Sequence, residues 1–236
     1  MAEDRPYFDD EFGGRYILVE PGTFIMGDEK GTRNEQPTHE VNITEPFFCG
    51  ERPVTQAHWQ AITMENPSFF TDGWAAGLRP VEQVSWNEVQ HFISRLNERD
   101  VEVERLGVKG VWRLPSEAEW EYLARAGTTT RWAFGNRDSE LNDYGWHAGN
   151  AGASTREVGQ KKANPWGFLD LHGQVSEWCQ DCFVADYSSH NGTQQPVQVE
   201  TVLKKVHRGG SWFTESDSTR CSSRGSALSS LQSDGI

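Results

Sequence analysis

The spacing of apolar residues changes along the chain, and in two places it follows the period of an α-helix. The apolar positions of the first such segment are Val89, Phe92, Ile93 and Leu96. Ser85 and Glu88 precede them as a capping box, so a helix is predicted over residues 86–98. A second capping box begins at Ser116 and predicts a helix that ends before Gly127.

Short strands and one further helix are predicted before the first capping box. Residues 16–26 read as two strands about the Pro21-Gly22 turn, and residues 39–48 alternate in polarity as a third strand. Thr55 is the predicted cap of a short helix. After Gly127 the helical period is lost, and loops with short strands are expected.

These patterns predict one α+β domain with two main helices, short antiparallel strands and long ordered loops. The domain covers residues 16–236 and follows an acidic lead-in at residues 1–15, because no repeat or Pro-, Gly- or Ser-rich linker divides the chain. Long loops within a compact domain are usually functional.

Composition and charge exclude several classes of function. The 236 residues include 10 Trp, 12 Phe and 5 Tyr, which is enough aromatic surface to form a core. A net charge of -13 argues against nucleic-acid partners and against docking on anionic lipid. The chain has neither the run of about 20 apolar residues that spans a membrane nor a secretory signal. A cytoplasmic protein without membrane insertion is therefore expected.

The reactive side chains match no common catalytic motif. The sequence lacks a GxSxG elbow, a Walker loop, an HExxH pair and a dinucleotide fingerprint. Cys49, Cys179, Cys182 and Cys221 are too few for a disulfide scaffold. Cys179 and Cys182 form a lone CxxC, so free thiols are favoured over a zinc site, and one incidental disulfide is the alternative.

Two segments near the C-terminus leave alternatives open. Asp170 and Glu177 lie seven positions apart with Gly173 between them, a pattern compatible with a Ca²⁺ loop or with two solvated acids. The segment after Trp212 is rich in Ser and has little periodicity. Its composition favours a disordered tail, and the alternative is an ordered loop surface that contacts a ligand.

A series of motifs in order along almost the whole chain points to a known family. Examples are Gly22-Thr-Phe-Ile-Met-Gly27, Arg113-Leu-Pro-Ser-Glu-Ala-Glu-Trp-Glu-Tyr122, Asn164-Pro-Trp-Gly-Phe-Leu-Asp-Leu-His-Gly173 and Arg208-Gly-Gly-Ser-Trp212. With these motifs the chain resembles the formylglycine-generating-enzyme, or sulfatase-modifying factor, superfamily. The resemblance implies a C-type-lectin-like α+β fold.

The resemblance also implies which chemistry is missing. Enzymes of the family oxidise a substrate cysteine to formylglycine with copper and oxygen, using two cysteines just after the Gly-Gly-Ser-aromatic motif. Thr214 stands at the first of these positions, and no cysteine occurs between Cys182 and Cys221. A hydroxyl cannot replace a thiolate as a ligand of Cu(I). We therefore expect no copper and a non-catalytic member of the family.

The family's calcium loop, in contrast, matches. Asp170, Gly173, Val175 and Glu177 fall on positions that bind Ca²⁺ in characterised members, the Gly and the Val through their carbonyl oxygens. An Asn that is common after the Gly is replaced by Gln174. The resemblance thus implies a structural Ca²⁺.

Within the family, the C-terminal segment is similar to the variable proteins of diversity-generating retroelements, in which adenine mutagenesis randomises scattered codons. Arg220 and Arg224 keep the family's constant spacing. The ligand-binding positions implied are Trp212, Phe213, Thr214, Glu215, Ser216, Asp217, Ser218, Thr219, Ser222, Ser223, Ser226 and Leu228. Glu215 and Asp217 could select a basic partner, and Trp212 could instead belong to the core.

The resulting hypothesis is a non-enzymatic module that binds a protein or another macromolecular ligand through this C-terminal surface. Two alternatives stay open. One is a metal-dependent oxidase of the formylglycine-generating type. The other is a sensor or accessory domain of a larger signalling or defence protein.

Overall fold

The computed structural model describes residues 4–100 and 103–236. Its helices are α1 (Gln56–Thr63), α2 (Trp86–Arg99), α3 (Glu117–Arg125) and α4 (Leu141–Tyr144). Its strands are β1 (Tyr7–Asp9), β2 (Arg15–Val19), β3 (Gly22–Met26), β4 (His39–Ile43), β5 (Phe47–Gly50), β6 (Val103–Arg105), β7 (Val108–Gly110), β8 (Glu177–Cys182), β9 (Lys204–Arg208) and β10 (Arg224–Leu228). Both predicted main helices and the short helix after Thr55 are present.

The strands form small antiparallel sheets. Two sheets have three strands each, in the orders β1-β2-β5 and β10-β9-β8, and the hairpins β3-β4 and β6-β7 complete the set. Strand β1 lies inside the segment interpreted as a lead-in, and Phe8 pairs with Tyr16 across β1 and β2. The ordered sheet therefore begins before residue 16.

The strand predicted over residues 39–48 is two strands in two different sheets. Strand β4 pairs with β3, whereas β5 pairs with β2. Pro46 lies in the interval between them. A proline has no backbone N–H for a strand ladder, so the chain changes sheet at this point.

Helix α3 lies at the centre of the molecule. Its Ser116 cap accepts the Glu119 N–H at 3.1 Å, and the Glu119 carboxylate accepts the Ser116 N–H at 2.9 Å. Each of its residues is buried, because the helix packs against β3, β8 and β9. A second apolar cluster joins α1 to α2, where the rings of Trp59 and Phe92 stack with centroids 4.7 Å apart.

Among the described residues, we find no helix with both the length and the apolar character needed to cross a lipid bilayer.

Candidate functional site

The C-terminal segment is ordered, which overturns the disordered tail suggested by its composition. The Trp212 N–H donates to the Gln174 carbonyl at 2.9 Å, and the Thr214 carbonyl accepts the Ala148 N–H at 3.0 Å. Further along, the Gly235 carbonyl accepts a backbone N–H at 2.7 Å. The side chains of residues 212–228 that reach solvent are called the display surface below.

Three buried arginines hold this segment from beneath. Arg220 makes a bidentate ion pair with Glu35, with N–O distances of 2.8 and 2.9 Å. Arg224 pairs in the same way with Glu117, at 2.6 and 2.8 Å. Arg208 donates to the buried carboxylate of Glu121.

These three side chains, called the framework arginines, anchor β9, β10 and the loop between them to distant parts of the chain. Bidentate guanidinium–carboxylate pairs fix both distance and orientation. The sequence indicated that Arg220 and Arg224 form a constant framework, but it did not reveal their partners.

The predicted ligand-binding residues fall into three classes of exposure. The exposed residues are Phe213, Glu215, Asp217, Ser218 and Leu228, and the half-buried residues are Trp212, Thr214, Ser216, Ser223 and Ser226. Ten of the twelve predicted positions are therefore at least partly exposed.

Thr219 and Ser222 are buried, which corrects their assignment to the ligand-contacting set. The Thr219 hydroxyl accepts the indole N–H of Trp132 at 3.0 Å and donates to the Ser216 carbonyl at 2.8 Å. The Ser222 hydroxyl accepts from Arg220 at 2.9 Å. Both side chains support the display surface from below.

An aromatic cluster borders the display surface, and only part of it was evident from the sequence. Trp212 lies between Phe213 and Phe70, with edge-to-face contacts at centroid distances of 5.0 and 5.4 Å. Phe69 contacts Phe70 at 5.1 Å and is 67% exposed. The signal that could have revealed the pair is two adjacent Phe residues in a polar loop after Asn66-Pro-Ser.

The predicted calcium loop brings the buried Asp170 and the half-buried Glu177 near enough for their charges to interact. Asp170 Oδ2 accepts the Gly159 N–H at 2.6 Å, whereas its Oδ1 is buried without a hydrogen-bond partner. Burial raises the pKa of Asp170 to about 6. Burial also raises the pKa of Glu177 to about 7, and the nearby charge of Asp170 adds to that effect.

The residues of this loop fit a hard cation that takes oxygen ligands. Within the described residues there is no group of three or more His, Cys, Asp or Glu side chains able to hold a metal. A cation at Asp170 and Glu177 would therefore need backbone carbonyl oxygens, such as those of Gly173 and Val175, which Ca²⁺ accepts readily. The unpartnered Oδ1 of Asp170 is the observation that favours such a ligand.

Gln174 holds the loop in place in spite of its difference from the family pattern. Its side-chain amide donates to the Arg156 carbonyl at 2.8 Å and accepts the Arg156 N–H at 2.9 Å. Its own backbone N–H donates to the Trp146 carbonyl at 2.7 Å. The longer amide thus ties the calcium loop to a neighbouring loop.

Thr214 stands at the position of the family's first catalytic cysteine and has a hydroxyl in place of a thiol. The Thr214 hydroxyl accepts the Ser211 N–H at 2.8 Å and serves as a turn contact. Cys221 is buried against α3, where its thiol donates to the Ala124 carbonyl at 3.4 Å, and burial raises its pKa to about 12. All four cysteines are free, as the sequence favoured.

The chain is similar to known proteins over most of its length. Residues 10–235 match the family described as sulfatase-modifying factor enzyme 1-like domain. The formylglycine-generating enzyme of Streptomyces coelicolor is 32% identical over 263 residues, which cover 84% of this chain and 78% of that enzyme. The serine/threonine-protein kinase pkn1 of Chlamydia caviae is 26% identical over 240 residues, covering 88% of this chain, which spans only 34% of the kinase's length.

Among solved structures, Treponema denticola variable protein 1 superposes with a TM-score of 0.87 and 26% identity, covering 99% of this chain and 97% of that one. The predicted C-type-lectin-like α+β fold is thereby confirmed.

Proposed function

Because the chain belongs to the sulfatase-modifying factor enzyme 1-like domain family, we propose that it is a non-enzymatic member that binds a macromolecular ligand through its display surface. The observation that carries this proposal is that residues 208–228 contain both buried side chains with internal partners and side chains that face solvent. Arg220, Arg224 and the hydroxyls of Thr219 and Ser222 bond to partners inside the protein. Phe213, Glu215 and Leu228, in contrast, face solvent. Such an arrangement lets surface side chains change without loss of the fold.

The similarity to a variable protein of Treponema denticola supports the more specific proposal of a retroelement variable protein. Sequencing the 3′ end of the gene from many cells tests it. We expect substitutions to be concentrated at the codons of the exposed residues, with Arg220 and Arg224 unchanged. A genome without a neighbouring reverse transcriptase and template repeat would contradict this assignment.

The proposed ligand is a protein. Trp212 and Phe213 offer aromatic anchors of the kind that dominate binding energy in protein interfaces. Glu215 is exposed and gives the surface an acidic group for a basic partner. Asp217 is already paired with Arg131, so it contributes less free charge. The net charge of -13 opposes a nucleic-acid ligand.

Replacing the exposed side chains together is expected to leave the fold intact. The variant is Phe213→Ser, Glu215→Ser, Asp217→Ser, Ser218→Ala and Leu228→Ser. Exposed substitutions change stability by about 0.5 kcal/mol or less each, so the five together should move the thermal midpoint by no more than about 5–10 °C and leave unfolding cooperative. A matched control in the same segment is Thr219→Val. It leaves the buried indole N–H of Trp132 unpaired and should cost about 1–3 kcal/mol.

Thermal unfolding followed by circular dichroism measures both variants. Loss of cooperative unfolding in the five-residue variant would mean that the surface side chains are part of the structural core. The display proposal would then fail.

Two of the similarities favour other functions, an oxidase and an accessory domain, which experiments can test. The similarity to a formylglycine-generating enzyme makes oxidase activity the outcome to exclude, by metal analysis and oxygen uptake with a cysteine-containing peptide. Copper at about one per chain, with uptake, would overturn the non-enzymatic proposal. The match to about a third of a chlamydial kinase favours an accessory domain if the gene encodes a longer chain.

We also propose that Asp170, Gly173, Val175 and Glu177 hold a structural Ca²⁺. Calcium would neutralise the carboxylates of Asp170 and Glu177, so the thermal midpoint should be about 5–10 °C higher at saturating Ca²⁺ than without Ca²⁺. The comparison is between excess Ca²⁺ and excess EGTA. In Asp170→Asn the difference should nearly vanish, whereas the exposed control Asp143→Asn should keep it. Equal midpoints of the wild type in both buffers would rule the site out.

A further inference from the structure

An apolar cavity of about 500 Å³ lies between α2, β5 and the β6-β7 hairpin, away from the display surface. Its walls include Tyr16, Phe48, Trp59, Phe92 and Trp112. The volume falls within the range of ordinary small-ligand sites, about 300–1,000 Å³. None of the predicted ligand-binding positions lines it, and of the four predicted calcium ligands Val175 and Glu177 line its wall.

The polar groups on the cavity wall already have partners. The Tyr16 hydroxyl donates to Asp10 at 3.0 Å, and the Trp112 indole N–H donates to Asp100 at 2.9 Å. Glu177 Oε2 accepts the Trp120 indole N–H at 2.6 Å. No described residue that lines the cavity carries a buried side-chain N or O atom without a partner. A wall of this kind gives water few hydrogen bonds and favours an apolar occupant.

The rim of the cavity is basic although the whole chain is acidic. The cations that line it are Arg52, Arg105, Lys109 and Arg113, against two acids, Glu45 and Glu177. Glu177 is half-buried, whereas Arg105 and Lys109 are exposed on the β6-β7 hairpin. The charge around this cavity is therefore opposite in sign to the net charge of -13 over the chain.

Arg105 and Lys109 lie on opposite faces of the β6-β7 hairpin, because Arg105 is paired with Val108 and Lys109 with Glu104. The Arg105 guanidinium lies 5.4 Å from the ring centroid of Phe8, which also lines the cavity. Lys109 makes a long contact of 3.7 Å with exposed Glu104. Exposed pairs of this length hold their partners weakly. Arg113, in contrast, is committed to Glu119 through two contacts of 2.7 Å.

We propose that this cavity binds a long-chain carboxylate, with its alkyl chain inside and its carboxylate at Arg105. Burial of the chain supplies binding energy in proportion to the apolar area removed from water. The carboxylate forms charge-assisted hydrogen bonds with the Arg105 guanidinium. A cationic amphiphile of equal chain length would meet the same apolar wall and be repelled at the rim.

Isothermal titration calorimetry of the full chain with dodecanoate, below its micellar concentration, tests the proposal. We expect saturable binding of about one molecule per chain and a negative heat-capacity change, the signature of apolar burial. Dodecyltrimethylammonium, with the same chain and the opposite charge, should bind at least about tenfold more weakly. Absence of saturation with dodecanoate, or equal affinity for the two amphiphiles, would overturn the proposal.

Two variants test the positions of the ligand's carboxylate and of its alkyl chain separately. Arg105→Gln should weaken dodecanoate binding about tenfold, whereas Lys109→Gln, on the opposite face of the same hairpin, should leave it unchanged. Ile93→Trp fills the cavity from α2 and should abolish binding while thermal unfolding stays cooperative. A folded Ile93→Trp protein that binds dodecanoate like the wild type would place the ligand elsewhere and refute the assignment.

Discussion

Replacement of Arg208 by methionine is expected to lower the free energy of unfolding by about 3–5 kcal/mol, because it breaks a buried ion-pair network from one side. Arg208 is fully buried and contacts the carboxylates of Glu121 and Glu117. Burial alone would raise the pKa of Glu121, but the charges of Arg125 and Arg208 hold it below its ordinary value. Without Arg208, one oxygen of this carboxylate stays buried and unpaired.

Urea denaturation followed by circular dichroism measures this loss, and the thermal midpoint should fall by roughly 6–20 °C. The control is Arg131→Met, since Arg131 also makes two acidic contacts, with Asp138 and Asp217, but at the surface. Exposed pairs contribute about 0–1 kcal/mol. Similar losses in the two variants would show that burial does not decide the strength of these pairs.

Replacement of Gly173 by alanine is expected to cost about 3–5 kcal/mol, through a clash and a forbidden backbone conformation together. Gly173 has φ of +119°, and a Cβ there would lie 2.1 Å from the Trp146 carbonyl oxygen. The backbone cannot yield easily because the Trp146 carbonyl also accepts the Gln174 N–H.

Gly107→Ala is the matched control, since Gly107 has φ of +81° and no atom lies within 4 Å of the position that an alanine Cβ would take. Its cost should be only the backbone term of about 1–2 kcal/mol. Chemical denaturation of both variants gives the difference. A Gly173→Ala protein no less stable than Gly107→Ala would show that the calcium loop relaxes freely and that its close packing has no energetic weight.

Local signals were enough to predict the helices. Ser85 and Ser116 were recognised as caps because a capping box involves residues only three apart, and both boxes are present in the structure. The strand over residues 39–48 was predicted less well. Alternation of polarity identifies extended chain, but it does not say which strand will be the neighbour, so the division at Pro46 was missed.

The candidate site shows the same contrast. The order of Asp170, Gly173, Val175 and Glu177 along the chain was sufficient to nominate the calcium loop by resemblance. Sequence could not separate Thr219 from Ser218, because both are small hydroxyl residues in one polar segment. Only the position of the Trp132 indole makes the first of them buried and structural.

The sequence by itself thus determined the helix starts, the family motifs, the absence of a thiol at Thr214 and the overall acidity, since these depend on residue type and short spacing. The tertiary structure decided which side chains of residues 212–228 face solvent. It also decided where the framework arginines find their carboxylates, 185 positions away in the case of Arg220 and Glu35. Burial and ion pairing of this kind depend on contacts between distant segments, and those contacts exist only once the chain has folded.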